Sequence, residues 1–437
     1  MSTRRTVFKR WLTLGGTLVA AVGVLTAPAQ AATRPPLQKI TDVKGPQYQL
    51  TEKYDSPMSP PPGYEQVGID GALSGDGRTA LMGVGDAACP KSVGESLPKM
   101  KMLKAFCWDK EMQGVAGDVT QQPWVPQGIA TSGEARAGGV GAGKRAAIAG
   151  WNWQNDDPAN VQHPTPERLD YRHNSVKLAF ANLDDGQYRW VLPVWDDGTG
   201  NLRRVYGHGG GLAWYGKYLF MANTSNWNHQ TVPPGDAGKG AVRVFDTTRI
   251  YRRLDGRTGD FQYVMPEVRR YTFGDFQPDY VSLDRNSAGG ASLVVGTFQS
   301  SQYTLAGTRI VRYDFLDYDY RLAATAIEGW RSTTPADKAY AISDVQGVQA
   351  DGDTLYINMS GGWVNPPKEN NRFAVVKVKG DPSTWTISVR KDWAEHPEDL
   401  APWYEAGSPY QVTELWGLTE AEQQRAVFAV APTVLTG

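Results

Sequence analysis

The stretches GLAWYGKYLFMANT (Gly211–Thr224) and GVQADGDTLYINMS (Gly347–Ser360) share one fourteen-residue pattern without a gap. Gly, Gly, Leu and an aromatic residue occupy the same four places in both copies. The second glycine, Gly216 or Gly352, falls where a tight turn needs positive φ, and the Leu-aromatic pair after it is typical of a strand. The pattern therefore predicts a β-hairpin that the chain uses at least twice.

The spacing of the two copies indicates a repeating architecture. They start 136 residues apart, about twice the length expected of a four-stranded unit with its connections. The chain is also rich in turn formers and in strand-forming aromatics, with 48 Gly, 28 Pro, 15 Trp and 20 Tyr. We therefore predict an all-β fold, a single β-propeller of six four-stranded blades, with seven blades as the alternative.

The predicted propeller domain spans residues 64–437, and the Pro-rich residues 32–63 form an extended segment before it. Its first blade starts at Tyr64, with a hairpin turn at Gly75-Asp76-Gly77. The last blade, from Glu398 onward, has only three predicted strands. Because a ring cannot leave its final edge unpaired, we predict that an N-terminal strand near Gln47–Lys53 supplies the fourth.

Residues 1–31 have the features of an export signal peptide. Arg4 and Arg5 precede a mostly apolar stretch over residues 11–26, and small residues at 29 and 31 offer a cleavage site. The first ten residues resemble a twin-arginine (Tat) signal, with a Sec signal as the alternative. No later apolar run reaches the ~18 residues that a membrane span needs. We predict a secreted, extracellular protein without a membrane segment.

Charge and cysteine content narrow the choice of partners. Removal of the signal leaves 41 basic and 46 acidic residues, a net charge of −5, which argues against nucleic acid as a partner. In an oxidising compartment the two cysteines, Cys89 and Cys107, are expected to form a disulfide. We expect a monomer that binds an extracellular protein or a cell-wall glycan.

Polar residues stand beside small ones at the start of each predicted inner strand. In a propeller these starts converge on the axial channel, so the side chains would meet around one opening. If the site is catalytic, Glu398 or Asp399 serves as acid or base with His208 as partner. The alternative is that the polar groups only organise water. The predicted channel residues are Gln127, His208, Gln277, Asp279, Gln346, Glu398 and Asp399.

Motifs for a resident cofactor are weak. The five histidines show no metal-ligand spacing, so we predict no metal, with calcium at the oxygen-rich turn Asp196–Asn201 as the alternative to a plain hairpin turn. Residues Gly138–Lys144 match the first part of a phosphate loop. Arg145, however, stands where Ser or Thr should hold magnesium, so we interpret this segment as a hairpin loop.

Aromatic residues give a second, more diffuse binding signal. Trp151, Trp153 and Trp227 lie among amide side chains on segments that follow predicted strands. Such surfaces stack on sugars or anchor a protein partner. The alternative is that these rings pack between adjacent blades.

Several segments of the chain follow the pattern of a known family. They are the signal peptide, Gly210–Phe220, Val242–Asp246, Tyr263–Pro266, Val281–Arg285, Pro397–Leu400 and Leu415–Glu420. Together they resemble the secreted actinobacterial β-propeller proteins, most of them uncharacterised, and the resemblance covers most of the mature chain. It implies the propeller fold and, by similarity to a member that acts on a metalloprotease and is a transglutaminase substrate, cross-linking at surface glutamines such as Gln299 and Gln302.

Two functional hypotheses follow. The first is a non-enzymatic extracellular interaction protein that uses one propeller face to engage a protein or a cell wall, where it modulates a protease or becomes cross-linked. The second is an extracellular enzyme, a lactonase, a lyase or a glycan-active enzyme, with its site in the channel. A convergent cluster of three or more carboxylates or imidazoles at the opening would favour the enzyme.

Overall fold

A computed structural model describes residues 36–435 except 55–59, 115–123, 137–142, 154–174, 197–201, 225–239, 256–261, 300–306, 317–318, 336–337, 361–370 and 408. The predicted export signal lies outside these residues. None of the described helices is long and apolar enough to cross a membrane.

Strands dominate the described residues. The first six strands in chain order are β1 (Leu37–Lys39), β2 (Leu50–Tyr54), β3 (Tyr64–Gln66), β4 (Thr79–Ala80), β5 (Met82–Gly83) and β6 (Met102–Cys107). The following strands are β7 (Trp124–Thr131), β8 (Ala146–Trp153), β9 (Val176–Asn182), β10 (Gln187–Asp196), β11 (Leu202–Arg204), β12 (Leu212–Tyr215), β13 (Tyr218–Asn223), β14 (Ala241–Asp246), β15 (Tyr251–Arg253), β16 (Tyr263–Phe273), β17 (Tyr280–Ser287), β18 (Gly290–Gly296), β19 (Arg309–Leu316), β20 (Arg321–Leu322), β21 (Glu328–Ser332), β22 (Val345–Asp351), β23 (Thr354–Met359), β24 (Arg372–Lys377), β25 (Thr386–Arg390), β26 (Pro397–Glu405), β27 (Gln411–Thr419) and β28 (Ala426–Val430).

The helices in these residues are short. They are α1 (Gly68–Leu73), α2 (Lys91–Ser96), α3 (Lys110–Gln113) and α4 (Ser132–Ala135), with 3₁₀ turns at Pro46–Tyr48, Thr247–Arg249, Lys338–Tyr340, Pro382–Thr384 and Pro432–Val434.

The strands form a β-propeller, which confirms the predicted fold class. Within the described residues the propeller has five antiparallel four-stranded blades rather than six or seven. From the inner strand outwards, they are blade I (β7, β8, β9, β10), blade II (β12, β13, β14, β16), blade III (β17, β18, β19, β21), blade IV (β22, β23, β24, β25) and blade V (β26, β27, β28, β6).

The number of blades differs from the prediction because the predicted first blade does not form. Residues from Tyr64 to Gln113 form no blade of their own: β3 and β4 pair at the edges of blades II and I, and β5 and β6 belong to the sheet of blade V. The helices α1, α2 and α3 connect them. The short alternating runs of this region therefore extend existing sheets instead of starting a new one.

The repeated sequence pattern does form the predicted hairpin. It builds β12–β13 in blade II and β22–β23 in blade IV, with Gly216 at φ 59° and Gly352 at φ 57° in the two turns. Both turns need positive φ, which glycine adopts without a steric penalty.

The ring is closed by an N-terminal strand, as predicted, but by a different one. Strand β6 pairs with β28 in blade V, with Cys107 opposite Ala426. The Cys89–Cys107 disulfide, with a Cα–Cα distance of 6.1 Å, attaches this strand to the segment before α2. Of the predicted closing strand near Gln47–Lys53, only the part from Leu50 onward is a strand. It belongs to β2, which pairs with the long strand β16 of blade II, with Leu50 opposite Phe273.

The inner strands pack closely around the axis, each against the next from blade I to blade V and back to blade I. Glycines permit this approach. A Cβ atom at Gly128 would lie 2.9 Å from Leu212 Cγ, and one at Gly347 would lie 2.8 Å from the Cα of Asp399. The inner strands therefore fill the centre of the propeller at this depth.

Candidate functional site

We use the term axial face for the end of the propeller at which the five inner strands begin. Because each second strand runs antiparallel to its inner strand, the ends of the second strands lie at the same face. Residues at the starts of inner strands, such as Gln127 and Glu398, can therefore contact residues that follow second strands, such as Thr224 and Glu420.

Glu398 and Glu420 form a pair of neighbouring carboxyl groups on the axial face. Glu398 lies at the start of β26 and is 2% exposed, and Glu420 follows the end of β27 in the same blade. Two carboxyl groups can share a hydrogen bond only while one of them is protonated, because two carboxylates offer only acceptors. The pair can therefore provide an acid and a base side by side.

Two glutamines from neighbouring blades extend the pair. Gln346 Nε2 of blade IV donates to Glu398 Oε1 at 2.8 Å, and Gln127 Nε2 of blade I donates to Glu420 Oε2 at 3.1 Å. Asn358 also donates its side-chain N–H to the backbone carbonyl of Glu398. The result is a continuous row of polar side chains that spans three blades.

The surroundings shift the pKa values of the two groups unequally. Burial, followed by the negative charge of Glu420, raises the pKa of Glu398 well above its usual value. Burial also raises the pKa of Glu420, but the hydrogen bond from Gln127 and the positive charge of Arg425 oppose that shift. Environments that push the pKa values of two neighbouring carboxyl groups apart suit one group to the role of acid and the other to that of base, here Glu398 and Glu420 respectively.

Asp399, predicted as a channel residue, lies deeper on the axis. It is fully buried, and its Oδ2 accepts the backbone N–H groups of Leu212 in blade II at 2.9 Å and of Ile129 in blade I at 3.1 Å. Burial raises its pKa well above the ordinary value. Its negative charge also contributes to the raised pKa of Glu398, so three carboxyl groups interact in this region.

Glu134 provides a further buried carboxyl group that the sequence analysis missed. It lies in α4, is 0% exposed, and accepts the backbone N–H groups of Thr131 at 3.4 Å and of Leu283 at 3.3 Å. Burial raises its pKa well above the usual value. Because both acceptor oxygens are used by backbone groups of blades I and III, its role is to join blades.

His208 and Asp279 lie on the axial face and bond to partners other than the carboxyl pair. His208 Nδ1 is 3.2 Å from the Asn152 amide nitrogen, and burial lowers its pKa to about 4, so the ring is neutral near pH 7. Asp279 accepts from Thr224 Oγ1 and from the backbone N–H of Phe298, both at 2.6 Å. Burial raises its pKa to about 6.

Gln277 lies half-buried on the connection into β17, where a Cβ atom at Gly240 would be 2.5 Å from its Oε1. Of the predicted channel residues, the structure therefore joins Gln346 directly to Glu398 and places Gln127 on its partner Glu420, with Asp399 deeper on the axis. His208, Gln277 and Asp279 belong to the neighbouring blades II and III.

The aromatic prediction needs a correction at Trp151. This side chain is 0% exposed and packs edge-on against Trp108 at 5.1 Å and Trp190 at 5.7 Å between ring centroids. The alternating pattern of β8 turns it inward, so it packs and does not bind. Trp153 is half-buried against Trp124, and Trp227 lies outside the described residues.

Other predicted positions fall partly outside the described residues. Asp196 ends β10, but residues 197–201 of the calcium turn are not described, and neither are the first residues of the loop Gly138–Lys144. Gln299 is half-buried, and Gln302 is not described. In the described part of the chain, no group of three or more His, Cys, Asp or Glu side chains has an arrangement that could hold a metal ion.

The most important missed residue is Glu420. The sequence analysis considered only the starts of inner strands, whereas Glu420, Thr224 and Asn152 come from the ends of second strands. The signal was available, because a hairpin necessarily returns its second strand to the face at which the first began.

These features define the chain as a β-propeller protein with a carboxyl pair and flanking amides on its axial face. No protein-family model matches the chain, and no curated protein matches it. Solved structures with similar folds include a GH43_1 enzyme from Xanthomonas citri, with 9% identity over 79% of this chain and 93% of that chain at a TM-score of 0.37.

Two further structures are also similar. A Bacillus subtilis levansucrase mutant has 10% identity, covers 72% of this chain and 86% of that chain, and has a TM-score of 0.34. BamB from Moraxella catarrhalis has 10% identity, with 87% and 99% of the two chains covered, at a TM-score of 0.28. At these identities the similarity concerns the fold and says nothing about activity.

Proposed function

We propose that this protein is an extracellular acid–base hydrolase whose site is the Glu398–Glu420 pair on the axial face. The observation that carries the proposal is this pair of neighbouring buried carboxyl groups, held by hydrogen bonds from Gln127 and Gln346, with the pKa of both groups raised by burial. Carboxyl groups with strongly shifted pKa values that lie together at a concave end of a fold are candidates for catalysis.

The close interaction of Glu398 with Glu420 favours a particular reaction class. Pairs that cleave glycosides stand about 5 Å or more apart, because the sugar lies between the two carboxyl groups. Two carboxyl groups in contact are instead suited to hold one water molecule and one carbonyl group together. We therefore favour hydrolysis of a lactone or an ester over cleavage of a glycosidic bond.

In this mechanism Glu420 takes a proton from water as the water oxygen bonds to the carbonyl carbon. Glu398 gives its proton to the oxygen of the ester bond that breaks. The products are an alcohol and a carboxylic acid, which are one molecule when the substrate is a lactone. A proton passes from Glu420 back to Glu398 to restore the starting state. Gln127 and Gln346 hold the two carboxyl groups in place and offer hydrogen-bonding groups to a hydroxylated substrate.

The test is hydrolysis of a panel of sugar lactones and aryl esters by the purified mature protein. Glu398→Gln and Glu420→Gln should each lower kcat/KM by about a hundredfold or more, as loss of an acid or base does. Glu405→Gln is the matched control, because Glu405 is exposed at the far end of the same strand β26. Turnover that is unchanged in both site variants contradicts the assignment.

A second candidate is the interaction protein of the first hypothesis. One observation favours it: Phe298 is a 38% exposed aromatic residue beside Asp279, whose carboxylate accepts its backbone N–H. An exposed ring next to polar groups is typical of an anchor for a protein or glycan partner. Capture of a partner from culture supernatant that is lost in Phe298→Ser and retained in Glu398→Gln would favour this function.

Secretion is part of both proposals and rests on the N-terminal sequence. Expression of the full chain in a host with separate Tat and Sec mutants tests it. We expect mature protein in the medium, and its loss in one of the two mutants identifies the route.

A further inference from the structure

A cavity of about 730 Å³ lies at the outer edge of blades I and II, away from the inner strands. It is formed by α1, the turn after it, the outermost strand β10 of blade I and the outermost strand β16 of blade II, which run parallel where Leu192 lies opposite Val264. Its size is in the range of pockets that hold small organic ligands.

Arg189 of β10 lines this cavity and is only 5% exposed. Its guanidinium donates to the backbone carbonyls of Gly71 at 3.1 Å and of Asp76 at 2.6 Å, contacts the hydroxyl of Tyr263, and stacks over the Tyr263 ring at 4.3 Å. All of these partners are neutral.

Nothing within the described chain neutralises this buried cation. Arg78, by contrast, pairs with Asp185 at 2.6 Å, and Arg252 pairs with Glu65. An isolated buried charge costs free energy unless an opposite charge or a full set of hydrogen bonds compensates it. Arg189 Nε is also buried without an acceptor. Burial lowers the pKa of the guanidinium, as this environment requires.

The lining of the cavity also includes Arg252, whose guanidinium pairs with Glu65, and the exposed carboxylate of Asp76. One other feature of the cavity favours a negative ligand. The turn Gly75–Gly77, with Gly75 at φ 81° and Gly77 at φ 76°, presents successive backbone N–H groups that donate to no protein group in the described residues. Successive free amides in a turn form an anion-binding concavity. A Cβ at Gly75 would lie 4.0 Å from Arg189 Nη2, so turn and guanidinium are adjacent.

We propose that this cavity is a binding site for a small organic carboxylate, separate from the axial face. The guanidinium of Arg189 and the amides of Gly75–Gly77 would bind the carboxylate group, with Arg252 at the rim. The volume far exceeds that of an inorganic ion, and Trp190 and Val67 provide apolar wall beside the polar Gln262. A ligand that combines one carboxylate with a ring or a polyol fits this lining.

Calorimetric titration of the mature protein tests the proposal with two matched pairs of probes, D-glucuronate against D-glucose and benzoate against benzyl alcohol, and with inorganic phosphate as a third arm. We expect saturable binding of at least one carboxylate and none of its neutral analogue. Arg252→Gln should weaken that binding at least threefold, and Arg189→Lys at least tenfold, because a lysine cannot reproduce the planar fork.

Arg321→Gln is the control, since Arg321 is an exposed arginine that pairs with Glu52 in the same way as Arg252 pairs with Glu65. If Arg189→Lys does not fold, Arg252→Gln and the probe pairs still decide the result. Binding of phosphate but of neither carboxylate overturns the assignment of an organic ligand. Binding of no anion, or equal binding of acid and neutral analogue, overturns the site.

Discussion

Asp399 of blade V accepts the backbone N–H of Leu212 in blade II at 2.9 Å, across the axis of the propeller. The same oxygen accepts Ile129 N–H in blade I at 3.1 Å. One carboxyl oxygen therefore joins three of the five blades, at a depth where glycines bring the inner strands into contact.

Two replacements of Asp399 should separate the contribution of its hydrogen-bond acceptor to stability from that of its negative charge. Asp399→Ala leaves two buried N–H groups without an acceptor, so we expect the free energy of unfolding to fall by about 2–4 kcal/mol. Asp399→Asn keeps an acceptor oxygen and removes a charge that burial disfavours, so we expect a change of about 1 kcal/mol or less. Urea unfolding measures both. Equal losses in the two variants would show that the charge itself is needed.

Asp279 and His208 should give opposite pH dependences of stability. The native pKa of Asp279 is raised to about 6 from 3.8. The native state therefore keeps this proton after the unfolded chain has lost it, and the contribution of Asp279 to the unfolding free energy falls as pH rises from about 4 through 6. As pH rises from 4 to 7, the unfolding free energy of Asp279→Asn should increase by about 2 kcal/mol relative to that of the wild type.

The native pKa of His208 is lowered to about 4 from 6.5. The unfolded chain then binds the additional proton between these values, so the contribution of His208 to stability is complete above pH 6.5 and is lost as pH falls through 4. As pH rises from 4 to 7, the unfolding free energy of His208→Gln should fall by about 3 kcal/mol relative to that of the wild type. Denaturant unfolding at three pH values checks both signs, and a common sign for the two variants is incompatible with this account.

Removal of the disulfide should loosen blade V selectively. The bond joins residues 18 apart in sequence, and the double variant Cys89→Ala/Cys107→Ala should lose about 3 kcal/mol of stability. Because Cys107 pairs with Ala426, amide hydrogen exchange should accelerate in β28 more than in β24 of blade IV, which is the internal control. The same acceleration in both strands would indicate a global effect.

The two tryptophans of β8 should differ in their effect on stability. Trp151 is fully buried, so Trp151→Ala should cost about 3–5 kcal/mol, whereas Trp153 is half-buried and Trp153→Ala should cost clearly less. Thermal unfolding of the two variants measures the difference. If the exposed part of Trp153 contacts a glycan, only this variant would fold normally and lose glycan binding.

The sequence predicted those features that depend on local chemistry. The turns at Gly216 and Gly352 follow from the need for positive φ, and the hairpin repeat follows from them. Strand β6 could not be found in this way, because the residues of Met102–Cys107 are mostly half-buried or exposed and lack a regular alternation. Its pairing with β28 depends on which edge remains open once the ring is assembled.

The candidate site, like the fold, was predicted only in part. Gln127, Gln346 and Glu398 could be expected from the starts of inner strands, but the partner of Glu398 comes from the end of a second strand, so the acid–base pair was not visible. The cation Arg189 was missed because a half-apolar alternating strand such as β10 gives no indication of which charged residue turns inward.

The closing strand β6 also has a consequence for the synthesis of the protein. Its partner β28 lies more than 300 residues later in the chain, since Cys107 pairs with Ala426. During translation β6 therefore has no β28 to pair with until after blades I to IV have been synthesised. Leu103, which is 46% exposed in the folded protein, is part of this unpaired edge. Contacts so distant in sequence form slowly, and an unpaired edge recruits other chains. Nascent chains that stall before blade V are thus the species most exposed to aggregation and to chaperone binding.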